Sequence, residues 1–483
     1  MPRSRKSAVR SGALTGLSSL AVAGSAAGAG ILLAHLFGRN ERTDGLFVAY
    51  GVYLVLAIAA QSFRTVVLPQ LTRAQGALGA ETRAYLLALG GAGLVAVALT
   101  VALAGPLGRA LTAHPASGQV ASRALPWLVA GGFLQLVAAL AASALAARDS
   151  YAVAALAYAV GAALALVLFA ALHHHGEVSL AWAITANGVV TAAIPLVALM
   201  RAGALAGTRT HGGSLQRLGR LATGAAVPIA LQAMFVVALR FAAGLGAGKA
   251  TSLNYAYLIA AVLVVATASS VALISSAPLT RRGIDVEAAV THVVHSSWLS
   301  LALIAAAAGV FALAGGRVVG AILGGAYGGE VGRELGRLVA YLAPWMVVTV
   351  AYTLTFPLLF VLERSRGLIA IAVGGLALSV PIVLGGRGLA GLPGIAGGLA
   401  VATALVLGAL LVAVSGGALR RTATELGWLA AQVAALAALA FGLASLLGGF
   451  AGAALGLVAY AALLVALRPR GLRDAWAYVR ALH

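Results

Sequence analysis

A chain of 483 residues that is 62% apolar and 9% charged cannot clothe a water-facing surface, for which soluble domains use about a quarter charged residues. That excludes a soluble globular protein and leaves an integral membrane protein. Having no cysteine, it has no disulfides and no thiol-based metal or nucleophile chemistry.

The apolar runs are too long, and alternate too little, for barrel strands, so the spans are helices. Runs of about 20 residues fall near 13–35, 46–68, 85–107, 124–146, 151–172 and 179–200. After a basic stretch they resume near 222–245, 252–278, 296–315 and 338–361, and the last four lie near 367–385, 392–416, 425–446 and 449–467. The expected fold class is an all-α integral membrane protein of about fourteen transmembrane helices.

Charge placement supports that count. With the N-terminus in the cytoplasm, inner segments hold 21 Lys and Arg and outer segments hold 9, leaving Arg64 and Arg240 within spans. This is the positive-inside pattern, and it places both termini in the cytoplasm. It also accounts for the net charge of +20 without a nucleic-acid partner. The basic start and the apolar run after it resemble a signal peptide, but the run is long enough to be the first helix. The composition, rich in Ala and Gly with Arg favoured over Lys, is that of a GC-rich bacterial genome.

The stretch from Leu36 to Arg73 returns in part about 208 residues later, from Gly244 to Arg282. Phe47–Tyr50 (Phe-Val-Ala-Tyr) is echoed by Asn254–Tyr257 (Asn-Tyr-Ala-Tyr). Leu68–Arg73, with its Pro-Gln-Leu-Thr-Arg, is echoed by the Pro-Leu-Thr-Arg that ends at Arg281. An echo at this offset indicates a duplicated half, a common transporter plan. The Gly- and Ser-rich basic connection Ala202–Arg220 separates the halves. The expected division is an N-lobe at 1–210, a C-lobe at 211–420 and a helix pair at 421–483. Prolines inside spans favour kinks, and Pro228, on the helix that opens the second half, is the best placed of them to act as a hinge.

Chemistry on a substrate needs converging acids, bases or nucleophiles. The twelve acidic residues all fall in expected loops or at helix ends. This argues against simple carboxylate-based ion coupling within the membrane and against a membrane-embedded enzyme. No cofactor is expected. His173–His175 is a tract that could bind metal, but adjacent histidines in one loop do not by themselves close a coordination shell, and an interfacial loop is the expectation. Arg64 and Arg240 either snorkel to an interface or face a cavity and pair with phosphate. Gln61, Gln232, Asn254 and Tyr257 lie on neighbouring spans as polar support, or serve as helix–helix hydrogen-bond partners.

Ala34–Gly38 (Ala-His-Leu-Phe-Gly) and Thr43–Tyr50 (Thr-Asp-Gly-Leu-Phe-Val-Ala-Tyr) resemble the first hairpin of the MurJ-type lipid II flippases, relatives of the polysaccharide flippases and MATE exporters. Leu253–Tyr257, followed by a long apolar helix ending in Pro-Leu-Thr-Arg, is similar to that family's helix eight. The resemblance implies two pseudo-symmetric six-helix lobes around a central cavity, with two C-terminal helices that add a groove for a polyprenyl tail. It also implies arginines on helices one, two and eight that hold a lipid-linked pyrophosphate. Here Ala23, Ala29 and Leu258 stand at three such places, Ala57 and Ile58 occupy those of helix two, and His35 replaces a further arginine. Asp44 matches a family functional position.

The function implied is flipping of a lipid-linked glycan precursor across the bacterial cytoplasmic membrane by alternating access, with membrane lipids as the other partners. The substrate-binding candidates are Asp44, Arg64, Arg240, Gln61, Gln232, Asn254 and Tyr257. Export of another amphiphile, and a non-transporting scaffold that keeps the fold, are the alternatives.

Overall fold

The computed structural model describes residues 5–73, 78–148, 150–206, 213–265, 267, 285–362, 364, 367–467, 469, 471–472 and 474. Within these, most side chains of 5–20, those of 64–66, 68–70 and 72–73, and that of 361 lie outside the description. So do the Pro-Leu-Thr-Arg motif ending at Arg281 and the second half of the span expected at 252–278.

The described residues form helices without strands. They are α1 (Arg5–Phe37), α2 (Glu41–Arg73), α3 (Leu78–Ala102), α4 (Ala104–Leu111), α5 (Pro115–Ala146), α6 (Ala152–Leu172), α7 (Ser179–Arg201), α8 (Ser214–Ala243) and α9 (Lys249–Val264). There follow α10 (Val286–Leu323), α11 (Gly329–Tyr341), α12 (Ala343–Val361), α13 (Leu368–Val414), α14 (Gly416–Ala444) and α15 (Gly449–Leu467). Eleven helical stretches among the described residues are long and apolar enough to cross a membrane. Two shorter apolar ones, Ala21–Phe37 and Lys249–Val264, accompany them.

The longest, α13, serves as two spans. Ala390 (φ −145°, ψ 17°) and Gly391 (φ 61°, ψ −129°) break the helix, and Gly391 can hold this positive φ because it has no Cβ to clash. Gly398 lies against Val383, and Gly386 lies against Gly394, so the two arms run antiparallel in contact. The fourteen-span expectation is met in this way, and the protein is a multi-pass integral membrane protein.

Helix starts are set by short polar side chains. At α2 the Asn40 Oδ1 accepts from the backbone N–H groups of Arg42 and Thr43 at 2.9 and 3.0 Å. The Thr43 hydroxyl oxygen accepts in return from the Asn40 N–H at 3.0 Å, a reciprocal cap. Glu41 and Asp44 place negative charge in the first turn, where the helix dipole favours it. Asp285 caps α10 by accepting from the Ala288 N–H at 2.8 Å, and Ser415 caps α14 by accepting from that of Ala418 at 2.9 Å.

The chain divides by contacts into residues 1–250 and 251–483. In the first unit α2 packs along α5 and α8, α5 along α7, and α1 along α6. Glycines permit the close crossings: Gly132 receives Leu56, and Gly131 lies against Thr185. Small residues replace the hydrophobic driving force that lipid removes from helix association, because they let backbones approach. A buried cluster including Phe63, Tyr85, Leu140, Leu199 and Leu221 fills the end of this unit where α3 and α8 begin.

In the second unit the C-terminal pair α14–α15 docks along α10. Phe441 of α14 is wedged against Gly309 of α10 and Gly456 of α15, where no side chain larger than hydrogen would fit. The Tyr460 hydroxyl donates to the Ala302 carbonyl at 3.1 Å. Arg421 pairs with Glu287 at 3.0 Å near the start of α14. The opposite side of the pair exposes Trp428, Leu443, Leu455, Val458 and Val465, as a lipid-facing surface does.

Candidate functional site

Within the first unit Asp44 and Arg240 lie toward the end where α2 begins and α8 ends, whereas Gln61 and Arg64 stand well along α2. Asp44 is fully buried there, and its Oδ2 accepts from the Gly248 N–H at 2.6 Å. Gly248 has φ +75° and lies against the side chain of Arg39, so both its backbone shape and its surroundings require glycine. A short bond from a carboxylate to a backbone N–H is among the stronger neutral–ionic hydrogen bonds. Asp44 thus ties the first turn of α2 to the loop between α8 and α9. The two hairpins related by the sequence echo meet at this bond.

Arg240, near the end of α8, is half-buried, and its Nε donates to the Ala110 carbonyl at 3.0 Å. Ala110 lies in the last turn of α4, whose carbonyls lack helical partners. A guanidinium suits that negative helix end. The sequence offered Arg240 as snorkelling or as a phosphate ligand; in the structure its Nε serves a helix terminus. The side chain of Arg64 lies outside the described residues.

Gln232, two turns before Arg240 on α8, is buried, and Gln61 on α2 is exposed. Around the same end, Arg42 pairs with the buried Glu177 at 3.0 Å. The Ser117 hydroxyl donates to the Glu41 carbonyl at 2.7 Å. His173–His175 form one exposed 3-10 turn, with the His175 ring 5.7 Å from that of Trp182. Among the described residues no group of three or more His, Cys, Asp or Glu is arranged to hold a metal ion.

Asn254 and Tyr257 belong to the second unit, on α9. Tyr257 packs on Trp345 of α12 with ring centroids 4.8 Å apart, and Tyr255 meets Tyr327 edge-on at 5.3 Å. Asn254 is fully buried, and neither its Oδ1 nor its Nδ2 has a hydrogen-bond partner. An amide buried without partners is costly, and among the described residues of this unit Asn254, Trp298, Ser300 and Thr422 have buried polar atoms in that condition.

One polar feature escaped the sequence reading. At the other end of the first unit, Arg217 in the first turn of α8 meets Glu81 in the first turn of α3 at 3.1 Å, through both Nε and Nη2. Both side chains are over nine-tenths buried, at 4% and 9% exposure. The Arg217 guanidinium also lies over the Tyr85 ring at 5.7 Å. The residues stand 136 positions apart in connections that read as solvated charge, so only their juxtaposition reveals the pair.

Comparison with known proteins finds no matching protein-family profile and no matching curated sequence. Solved structures do match. The lipid II flippase MurJ in its inward closed conformation aligns with a TM-score of 0.70 at 14% identity, covering 94% of this chain and 99% of that chain. An inward-facing multidrug resistance MATE family transporter of the MOP superfamily aligns at 0.64 and 16% identity, covering 83% and 94%. A MOP superfamily transporter from Pyrococcus furiosus aligns at 0.59 and 15%, covering 86% and 96%. Across nearly its whole length, and at identities that mark wide divergence, this chain has the all-helical fold of the MurJ flippase and the MATE transporters of the MOP superfamily.

Proposed function

We propose that this protein is a membrane transporter of the flippase kind, moving a lipid-linked glycan precursor across the bacterial cytoplasmic membrane by alternating access. The observation that carries the reading is the match to MurJ, which covers 94% of this chain and 99% of that one. The stretch 425–467, which carries no charge beyond Glu425 and exposes an apolar side, supports a substrate with a long hydrocarbon tail. Both termini are cytoplasmic in this reading, and the lobes are those of the repeat, 1–210 and 211–420, with 421–483 as the added pair. Transport of this kind needs no covalent step, in keeping with the absence of acidic residues from the middles of the expected spans.

The substrate-facing candidates remain Asp44, Arg64, Arg240, Gln61, Gln232, Asn254 and Tyr257. Reconstitution in liposomes with a fluorescent polyprenyl-pyrophosphate sugar tests the reading. Translocation above protein-free liposomes is expected; none, with folded protein demonstrated, would overturn it. Export of a different amphiphile is the second reading, favoured by the commitment of the Arg240 Nε to Ala110. Its expected outcome is translocation of an uncharged amphiphile in the same vesicles.

A further inference from the structure

We propose that α8 is a strap fastened at both ends, and that the Glu81–Arg217 pair is a latch which opens while the opposite end stays shut. The proposal rests on the alternating-access reading and names the part that moves.

By the sequence echo, α8 is the second copy of α1. The copies pack differently: α1 lies along α6, whereas α8 lies along α2 and α3. An arginine anchors each end of α8, and Pro228 stands midway between them.

The two anchors differ in kind. At the Ala243 end each contact joins one side chain to one backbone group: Arg240 donates to the Ala110 carbonyl, and the loop just beyond gives its Gly248 N–H to the Asp44 carboxylate. At the Ser214 end the anchor is a side-chain ion pair closed off from solvent. A buried ion pair gains little net stability over well-packed apolar groups, since the loss of hydration offsets the attraction. Here it lies in the first turns of two helices, where opening returns both charges to water within a short distance. The closed state has the Coulomb attraction and the open state has hydration, which is the balance a two-state latch needs.

The helix has a place to bend. Pro228 removes the hydrogen bond to the carbonyl four residues back and crowds it, and that residue is Gly224, which has no side chain to obstruct the bend. The segment before Pro228 can therefore leave α3 while the segment after it keeps its contacts.

Hydrogen exchange on the full chain in lipid nanodiscs tests this without a transport substrate. In Glu81→Gln, exchange across residues 218–227 is expected to rise about tenfold, with residues 233–243 unchanged. The double variant Glu81→Arg with Arg217→Glu is expected to restore the original protection, which separates loss of the latch from misfolding. Pro228→Ala is expected to make the two segments exchange together. A uniform rise along α8 in Glu81→Gln would overturn the proposal, as would unchanged exchange at 218–227. End-selective opening in a protein that moves no lipid would remove the flippase reading and leave the latch. Lipid movement with uniform exchange would do the reverse.

Discussion

Asp44 and Gly248 show how much of this protein's polar chemistry is spent on its own backbone. The Asp44 carboxylate is fully buried and receives the Gly248 N–H. Replacing it by alanine leaves that N–H without its acceptor, at a cost of about 1–3 kcal/mol. Asp44→Asn keeps an acceptor oxygen and is expected to lose less; thermal unfolding of both variants in one detergent checks the order. Gly248→Ala is expected to destabilise as well, since its φ of +75° is strained for alanine and the new methyl meets Arg39. Asp44 was legible in the sequence as the residue that matched a known hairpin, but its partner was not. A backbone N–H carries no sequence signature, and this one lies 204 positions away. Arg240 was equally visible as an arginine within a span. Its target, the Ala110 carbonyl, depends on how α4 turns back toward α8.

At the scale of elements, the C-terminal pair is held by shape more than by charge. Phe441 is 5% exposed and packed against Gly309 and Gly456. Phe441→Ala is expected to cost about 3–5 kcal/mol through the cavity it leaves. Gly309→Leu puts a side chain where the ring stands and is expected to detach α14 and α15 from α10 without unfolding the first unit. Limited proteolysis near Ser415 reports detachment, and an unchanged digestion pattern would count against it. Helix positions were readable from hydropathy because a span must be about 20 apolar residues. The break in α13 was readable too, because Arg387 and the neighbouring glycines interrupt an apolar run. The two amphipathic helices α4 and α11 were not foreseen. They lie within or beside spans, and at eight and thirteen residues they are too short to stand out in a window sized for a membrane.

For the whole molecule, Arg240→Ala separates the functional readings. If flipping of the fluorescent lipid falls to background while Arg240→Lys, which keeps the charge, recovers part of it, the guanidinium meets the substrate phosphate. If the rate holds and only the melting temperature falls, its place is on Ala110 alone. The sequence by itself determined that the chain is a multi-pass helical membrane protein, because length and hydropathy settle this through the bilayer's thickness and its lack of hydrogen-bonding solvent. Only the tertiary structure decided what the sparse polar groups do. Glu81 and Arg217 read as ordinary loop charges until folding brings them into a buried pair, and Asn254 reads as an ordinary span polar residue until burial leaves it unpartnered. Pairing at such distances along the chain is a property of packing geometry, and a composition or a period along one segment does not contain it.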